Sequence, residues 1–164
     1  MSNTTSKVIS LFITLWIAKV FLLSLPYKFT NHPDTQNIFS TIGQWMSDTL
    51  SLSLGNFFTQ YAAYVIGSLE LIVSLILLIA TTMWILKALN IRNTAGNYKN
   101  LYRLGGLCAS AIMSGAAFFH LFTPLGIEVT HKGGSDGGSL FYSAVSILAL
   151  GLIMAFINKP TARQ

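Results

Sequence analysis

Four apolar blocks, at residues 8–25, 61–86, 104–122 and 139–157, decide what this chain can fold into. Each is close to the roughly 20 helical residues needed to cross a hydrocarbon core of about 30 Å. Lipid offers the backbone no hydrogen-bond partner, so a segment lodged there must satisfy its own N–H and C=O groups as a helix. The sequence therefore predicts an all-α fold, a single integral membrane domain over residues 1–164 built on a four-transmembrane-helix bundle. Composition excludes the soluble alternative. Only 9% of the 164 residues are charged and 52% are hydrophobic, against roughly 25% charged in an average soluble domain.

The net charge of +5 raises the question of nucleic acid, but the basic residues sit where topology would put them. Lys7, then Lys87, Arg92, Lys99 and Arg103, then Lys159 and Arg163 flank one side of the blocks, and only Lys28 and Lys132 fall on the other. By the excess of Lys and Arg in cytoplasmic loops, both termini and the loop 87–103 are expected inside. The lipid bilayer is then the partner, and nucleic acid is not. Asp34, Asp48, Glu128 and Asp136 lie in the outer loops, while Glu70 lies within a span. Lys7 and the apolar run after it resemble a secretory signal, but Lys19 interrupts the run and no small-x-small site follows, so an uncleaved first span is expected. The single Cys108 excludes an internal disulfide and a CxxC relay within this chain and reads as a packing residue.

The polar segment 26–60 is too long for a simple turn. Ile38, Phe39, Ile42, Trp45, Met46 and Leu50 recur at helical spacing behind Pro33 and Asp34, predicting an interfacial helix over 35–50 in the first outer loop, capped by Asp34. It could rest on the lipid interface or over the mouth of the bundle. The tract 50–54 alternates Leu and Ser and reads equally as helix or as extended turn. The loop 87–103 reads as a solvated turn touching anionic head groups. Gly133, Gly134, Gly137 and Gly138 around Ser135 and Asp136 could expose amides to an anion, although no phosphate-loop spacing is present and a flexible turn is the expectation. Gly106, Ser110 and Ser114, with Ala109, Ala116 and Ala117, predict close helix approach in the third span, and Ser143, Ala144, Ser146 and Gly151 do so in the fourth.

Three ionisable residues lie inside the blocks, where charge is expensive and normally faces the bundle and pairs. Lys19 and Glu70 fall roughly 4 Å and 5 Å outward of the middles of their blocks, so antiparallel neighbours could bring them into contact. His120 lies on the order of 10 Å outward of its own centre, near the loops that carry Lys28, His32, Asp34 and Glu128. Two readings stay open: Lys19–Glu70 fixes helix register and His120 marks a helix end, or the three line an outward-facing polar pocket with Lys28, His32 and Asp34 at its mouth. Trp16 with Phe29 or Trp45 could wall such a pocket or serve as interfacial anchors. His32, His120 and His131 have no metal-ligand spacing, so no metal is expected, and no nucleophile elbow or Cys/His arrangement marks a catalytic residue.

Lys19 late in its span, the run Lys28-Phe29-Thr30-Asn31-His32-Pro33, the run Ile38-Phe39-Ser40-Thr41-Ile42-Gly43, and Glu70 before an aliphatic stretch occur here in order. Met113-Ser114-Gly115, Phe119-His120-Leu121, Leu125-Gly126-Ile127, Asp136-Gly137-Gly138 and Leu140-Phe141 follow them. In this series, over nearly its whole length, the chain resembles the DoxX-like family of small four-helix bacterial membrane proteins. The resemblance implies a bacterial inner-membrane location. It also implies a choice of roles, since some members are similar to subunits of a thiosulfate:quinone oxidoreductase or join membrane redox complexes. Distant relatives handle thiols through paired cysteines, which this sequence lacks. Fold carries over from such a likeness better than reaction. The expectation is a non-catalytic accessory subunit or binding protein without a resident cofactor, which meets a membrane partner protein or a second copy of itself. The alternatives are a quinone-linked oxidoreductase subunit, with quinone as cofactor, and a small transporter, for which no span carries an ionisable residue in its inner half.

Overall fold

A computed structural model describes residues 3–91, 98–131 and 133–159. Five helices account for nearly all of them: α1 (Asn3–Phe29), α2 (Pro33–Thr49), α3 (Leu52–Ala88), α4 (Tyr98–Phe122) and α5 (Ser139–Ile157). Between α4 and α5 lies a two-stranded antiparallel hairpin, β1 (Thr130–His131) and β2 (Gly134–Ser135), in which Thr130 faces Ser135 and His131 faces Gly134. Helices α1, α3, α4 and α5 are long and apolar enough to cross a membrane, and the molecule is a multi-pass membrane protein. Arg92 with the rest of 92–97, Lys132 and Arg163 belong to the basic-residue pattern above but lie outside the described residues.

The four spans form a ring in which α1 touches α3 and α5, α3 touches α4, and α4 touches α5. Consecutive spans run in opposite directions, so every neighbouring pair is antiparallel. Ile17, Phe21, Leu77, Tyr102, Ile147 and Met154 fill the interior at almost no exposure, whereas Phe12, Ile72, Leu152 and Phe156 point outward. An exterior of this kind is solvated by acyl chains, and the same chains give helices no hydrophobic reason to associate, so packing and polar contacts must hold the ring. Each seam has them. Trp16 Nε1 donates to Ser146 Oγ at 3.0 Å, and Asn158 Nδ2 donates to Ser10 Oγ at 2.9 Å between α1 and α5. Ser110 Oγ donates to the Leu148 carbonyl at 2.9 Å between α4 and α5, and Tyr102 donates to Thr81 Oγ1 at 3.0 Å between α3 and α4. Gly106 and Gly151 let α4 and α5 touch backbone to backbone, since a Cβ on Gly106 would lie 2.6 Å from the Gly151 carbonyl. The expected small-residue seam is therefore present at Gly106 and Ser110, but Ser114 is exposed and bonds only its own helix at Ala111.

Among the boundaries that differ from the sequence reading, two shape the site. Helix α1 continues past residue 25 through Pro26 to Phe29. Pro26 forgoes one N–H bond and its ring crowds the carbonyl of Leu22, yet the helix continues through it for three more residues. Helix α3 begins nine residues earlier than the apolar block because Ser51 caps it, accepting from the Leu54 N–H at 3.3 Å, and this settles the tract 50–54 as helical. At 37 residues α3 is on the order of 55 Å long. Gly67 of α3 lies beside Lys28 and Phe29 at the end of α1, so the first part of α3 overhangs its neighbour. Helix α2 packs along this overhang. Backbone contact at Gly43 and Gly55 admits no Cβ on either residue.

The amphipathic helix expected over 35–50 is present as α2. His32 caps it in place of Asp34: His32 Nδ1 accepts from the Asp34 N–H at 3.3 Å, and Pro33 occupies the first helical position. Proline suits that place because its missing N–H would be unpaired there anyway. Ile38, Ile42 and Met46 turn inward to a small second core with Phe58, Phe119, Leu125 and Val129. Gln36, Ser40, Gln44 and Asp48 face outward. Of the two placements open to this helix, the one over the bundle mouth is observed.

Candidate functional site: a cavity with a charged wall

Beneath α2, and between α1, α3, α4 and α5, lies a cavity of about 750 Å³, within the range of small-molecule sites. Its walls are mainly aliphatic and aromatic: Val20, Leu23 and Tyr27 from α1, Ile38 and Phe39 from α2, Phe58 and Ile66 from α3, Ile112 and Phe119 from α4. The α1 contributors follow helical spacing, and that face also carries Ser24 and Lys28, one turn apart.

Glu70 projects from the middle of α3, 18 residues from either end, and its side chain is 3% exposed. Lys28 Nζ reaches Glu70 Oε2 at 2.6 Å and donates also to Ser24 Oγ at 2.8 Å. Ser24 Oγ lies 2.7 Å from Glu70 Oε2 and 2.7 Å from the Phe21 carbonyl, so its one proton can serve either acceptor. Both Ser24 and Lys28 meet the carboxylate at Oε2. Removing two charges from water is costly, and only close geometry with supplementary hydrogen bonds offsets the cost. Ser24 supplies one of those bonds.

This overturns the expected Lys19–Glu70 pair. Lys19 is exposed on the outer face of α1 with its ammonium 5.7 Å from the Trp16 ring centroid, and it takes no part in lining the cavity. The reason is angular. Nine residues at about 100° each carry Lys28 roughly half a turn around the helix from Lys19, so the two cannot share the inward face. Lys28, expected only at the mouth, becomes the partner because α1 does not stop at residue 25.

His120, in the last turn of α4, is buried and lines the cavity. Its Nδ1 lies 2.6 Å from the Gly126 carbonyl. A carbonyl oxygen only accepts, so Nδ1 carries the proton, and in the neutral ring Nε2 keeps a lone pair. The Phe141 ring packs against the imidazole at a centroid distance of 5.7 Å. At the mouth, Asp34 Oδ1 meets His131 Nδ1 at 2.6 Å, and Asn37 Nδ2 donates to the Thr130 carbonyl at 3.3 Å, tying α2 to the hairpin. His32 does not line the cavity. It stacks on Tyr27 and caps α2 through the lone pair of Nδ1, so its 3.4 Å approach to Asp34 Oδ2 is no ion pair while that cap is made.

The glycine-rich tract is an ordered corner organised by a side chain within it. Asp136 Oδ1 accepts from the N–H groups of Val129 at 2.7 Å and Gly138 at 3.0 Å, and Oδ2 accepts from that of Leu140 at 3.0 Å. Burial alone would raise the pKa of this carboxyl, but the N–H groups of Leu140, Val129 and Gly138 and the Ser139 hydroxyl together outweigh it and hold the pKa below the ordinary carboxylate value. Within the tract the Gly138 N–H is engaged by Asp136, the Gly137 N–H donates to Ser135 Oγ at 3.0 Å, and the Asp136 N–H donates to the Val129 carbonyl at 3.1 Å. Gly138, at φ 79°, makes the turn into α5 that few other residues tolerate.

Sequence reasoning placed Glu70, His120, Lys28 and Asp34 in one site, and all four line this cavity; Ser24, His131 and Asp136 were missed as contributors. Ser24 had a signal, its position four residues before Lys28. Neither Trp16, Phe29 nor Trp45 walls the cavity: Trp16 is held by Ser146, Phe29 lies against Gly67, and Trp45 packs edge-on to Phe118. Among the described residues no three His, Cys, Asp or Glu side chains are grouped as a metal ion would need. In comparisons with known proteins the chain matches no family model, no curated protein and no solved structure.

Proposed function

We propose that this protein is a non-catalytic binding protein or accessory subunit of a bacterial inner membrane, akin to the DoxX-like family, which holds a lipophilic small molecule in the cavity beneath α2. The supporting observation is the Lys28–Glu70 pair set into an otherwise apolar wall. Apolar walls select a largely hydrocarbon or aromatic body, while Lys28 offers a donor and Glu70 and His120 offer acceptors to one polar head. A purely structural ion pair would need no adjoining space of this size. Purification of the protein without delipidation, followed by mass spectrometry of the extract, should recover one small molecule near equimolar amounts, and membrane partner proteins would appear in the same preparation. Lys28→Met/Glu70→Gln, which removes both charges together and should stay folded, is expected to bind that molecule about tenfold more weakly, as the loss of one well-placed polar contact of about 1.4 kcal/mol implies, and so to retain less of it through washing. Equal occupancy in the double variant would refute the assignment.

A second reading, a quinone-linked oxidoreductase subunit, draws on one specific feature. His120 Nε2 and the Glu70 carboxylate are both acceptors on the same cavity, and a quinol carries O–H donors. Recovery of a quinone in that extract, with its occupancy reduced in His120→Phe, favours this reading over a simple lipophile carrier.

A further inference from the structure

A second groove lies at the opposite end of the molecule, where α4 begins and α5 ends. It is lined by Arg103 and Leu107 of α4, by Leu152, Ile153, Ala155 and Phe156 of α5, and by Lys159 just beyond it. The small side chain of Ala155 makes the floor, and the larger Leu152 and Phe156 beside it are half or more exposed on the outer surface. Lys159 Nζ sits 4.3 Å from the Phe156 ring centroid. Thus two cations and a strip of hydrocarbon line one groove on the lipid-facing side of two membrane spans.

The charge at this end has no counterpart in the chain. All five acidic side chains are accounted for elsewhere: Asp34 and Asp48 on α2, Glu70 in the cavity wall, Glu128 and Asp136 in the segment between α4 and α5. Lys7, Lys87, Lys99, Arg103 and Lys159 therefore share an end without a carboxylate side chain. Long cationic side chains in the last turns of a span lie along apolar surface with their charge at the head-group level. The counter-charge must come from outside, and at this level of a membrane the abundant anions are phosphates carrying acyl chains.

We propose that the α4–α5 groove is a binding site for an anionic phospholipid, with the phosphate between Arg103 and Lys159 and one acyl chain along Leu107, Leu152 and Phe156. The site is independent of the cavity beneath α2 and does not rest on the function proposed for it. Both parts of the lipid are needed: the phosphate for charge complementarity, the chain for the apolar strip that a free anion would leave uncovered.

Native mass spectrometry of the detergent-solubilised protein, titrated with dioleoyl phosphatidylglycerol or dioleoyl phosphatidylcholine, tests this. The anionic lipid should form an adduct that survives activation better than the zwitterionic one with the same chains. Arg103→Gln/Lys159→Gln should weaken that adduct on the order of thirtyfold, since each of the two cations removed contributes about one kcal/mol near a membrane surface. Lys7→Gln/Lys87→Gln removes the same charge from the same end and should leave it intact. Leu107→Trp keeps every charge, fills the groove and should weaken it as well. Equal weakening by the two charge-removing pairs would reduce the effect to diffuse attraction and overturn the site. Indifference to Leu107→Trp, or displacement of the lipid by millimolar inorganic phosphate, would overturn the acyl-chain part. Each variant is first checked for unchanged helicity and thermal midpoint, and if Arg103→Gln/Lys159→Gln fails that check, Leu107→Trp and the lipid comparison decide.

Discussion

At the scale of the residue, the decisive contact is one ammonium against one carboxylate in a wall of hydrocarbon. Removing Lys28 strands Glu70, and removing Glu70 strands Lys28, at a cost of about 3 kcal/mol or more for a fully buried pair. Lys28→Met and Glu70→Gln should each lower the thermal midpoint in detergent, and the double variant should lose less than their sum, with a coupling of roughly 1–3 kcal/mol. Lys19→Met should stay within about 0.5 kcal/mol of the native protein, as an exposed substitution does. Strict additivity of the Lys28 and Glu70 changes, or a Lys19 effect as large as theirs, would contradict the observed pairing. Glu70 and His120 were legible in the sequence because an ionisable residue in an apolar block has no cheap place to go except inward. The partner of Glu70 was not, because it was sought by membrane depth within a block ending at residue 25, which is not the end of α1, and depth carries no information on rotation around the helix.

At the scale of the element, α5 shows how a short loop holds a long helix. Gly138 carries no side chain to cap it, and Asp136 takes over by accepting from the Val129, Gly138 and Leu140 N–H groups. The carboxyl has a lowered pKa in the folded protein, so its contribution to stability is complete above the ordinary carboxylate value near 3.9 and is lost as pH falls through the lower native one. Thermal midpoints measured from pH 7 down to about pH 2.5 should therefore drop more steeply for the native protein than for Asp136→Asn, which starts lower at neutral pH. Parallel curves would show that the carboxylate is not what secures the start of α5. Helical periodicity made α2 readable and apolar block length made the four spans so, and α5 ends where its block ends. The hairpin and its anchor escaped notice, because two-residue strands leave no alternation and because which amides Asp136 reaches depends on the path of the glycines around it. The overhang of α3 was hidden for a related reason: Leu52 and Leu54 look like a polar tract's stray apolar residues until Ser51 is seen to cap a helix there.

At the scale of the whole molecule, Lys7, Lys87, Lys99, Arg103 and Lys159 share the end where α5 finishes, and the cytoplasmic placement of that end, expected from the basic residues, is open to a labelling test. In a Cys108→Ser background, a cysteine at the exposed Asn90, beside the described end of α3, should react with a membrane-impermeant maleimide only after the cytoplasmic face is opened, whereas one at Ser40 should react in intact cells whose outer membrane is permeabilised. The reverse pattern would invert the topology. Ring closure itself has a consequence for the way the molecule is made. The first and last spans touch, through Trp16 with Ser146 and Ser10 with Asn158, yet Ser139 follows Phe29 by 110 positions. At roughly 5–20 residues per second on the ribosome, α1 waits on the order of ten seconds with that face turned to lipid. Until then the nascent protein is an open crescent, so a stop codon within α5 removes the clasp of the whole assembly and leaves a three-span remnant for membrane quality control to find.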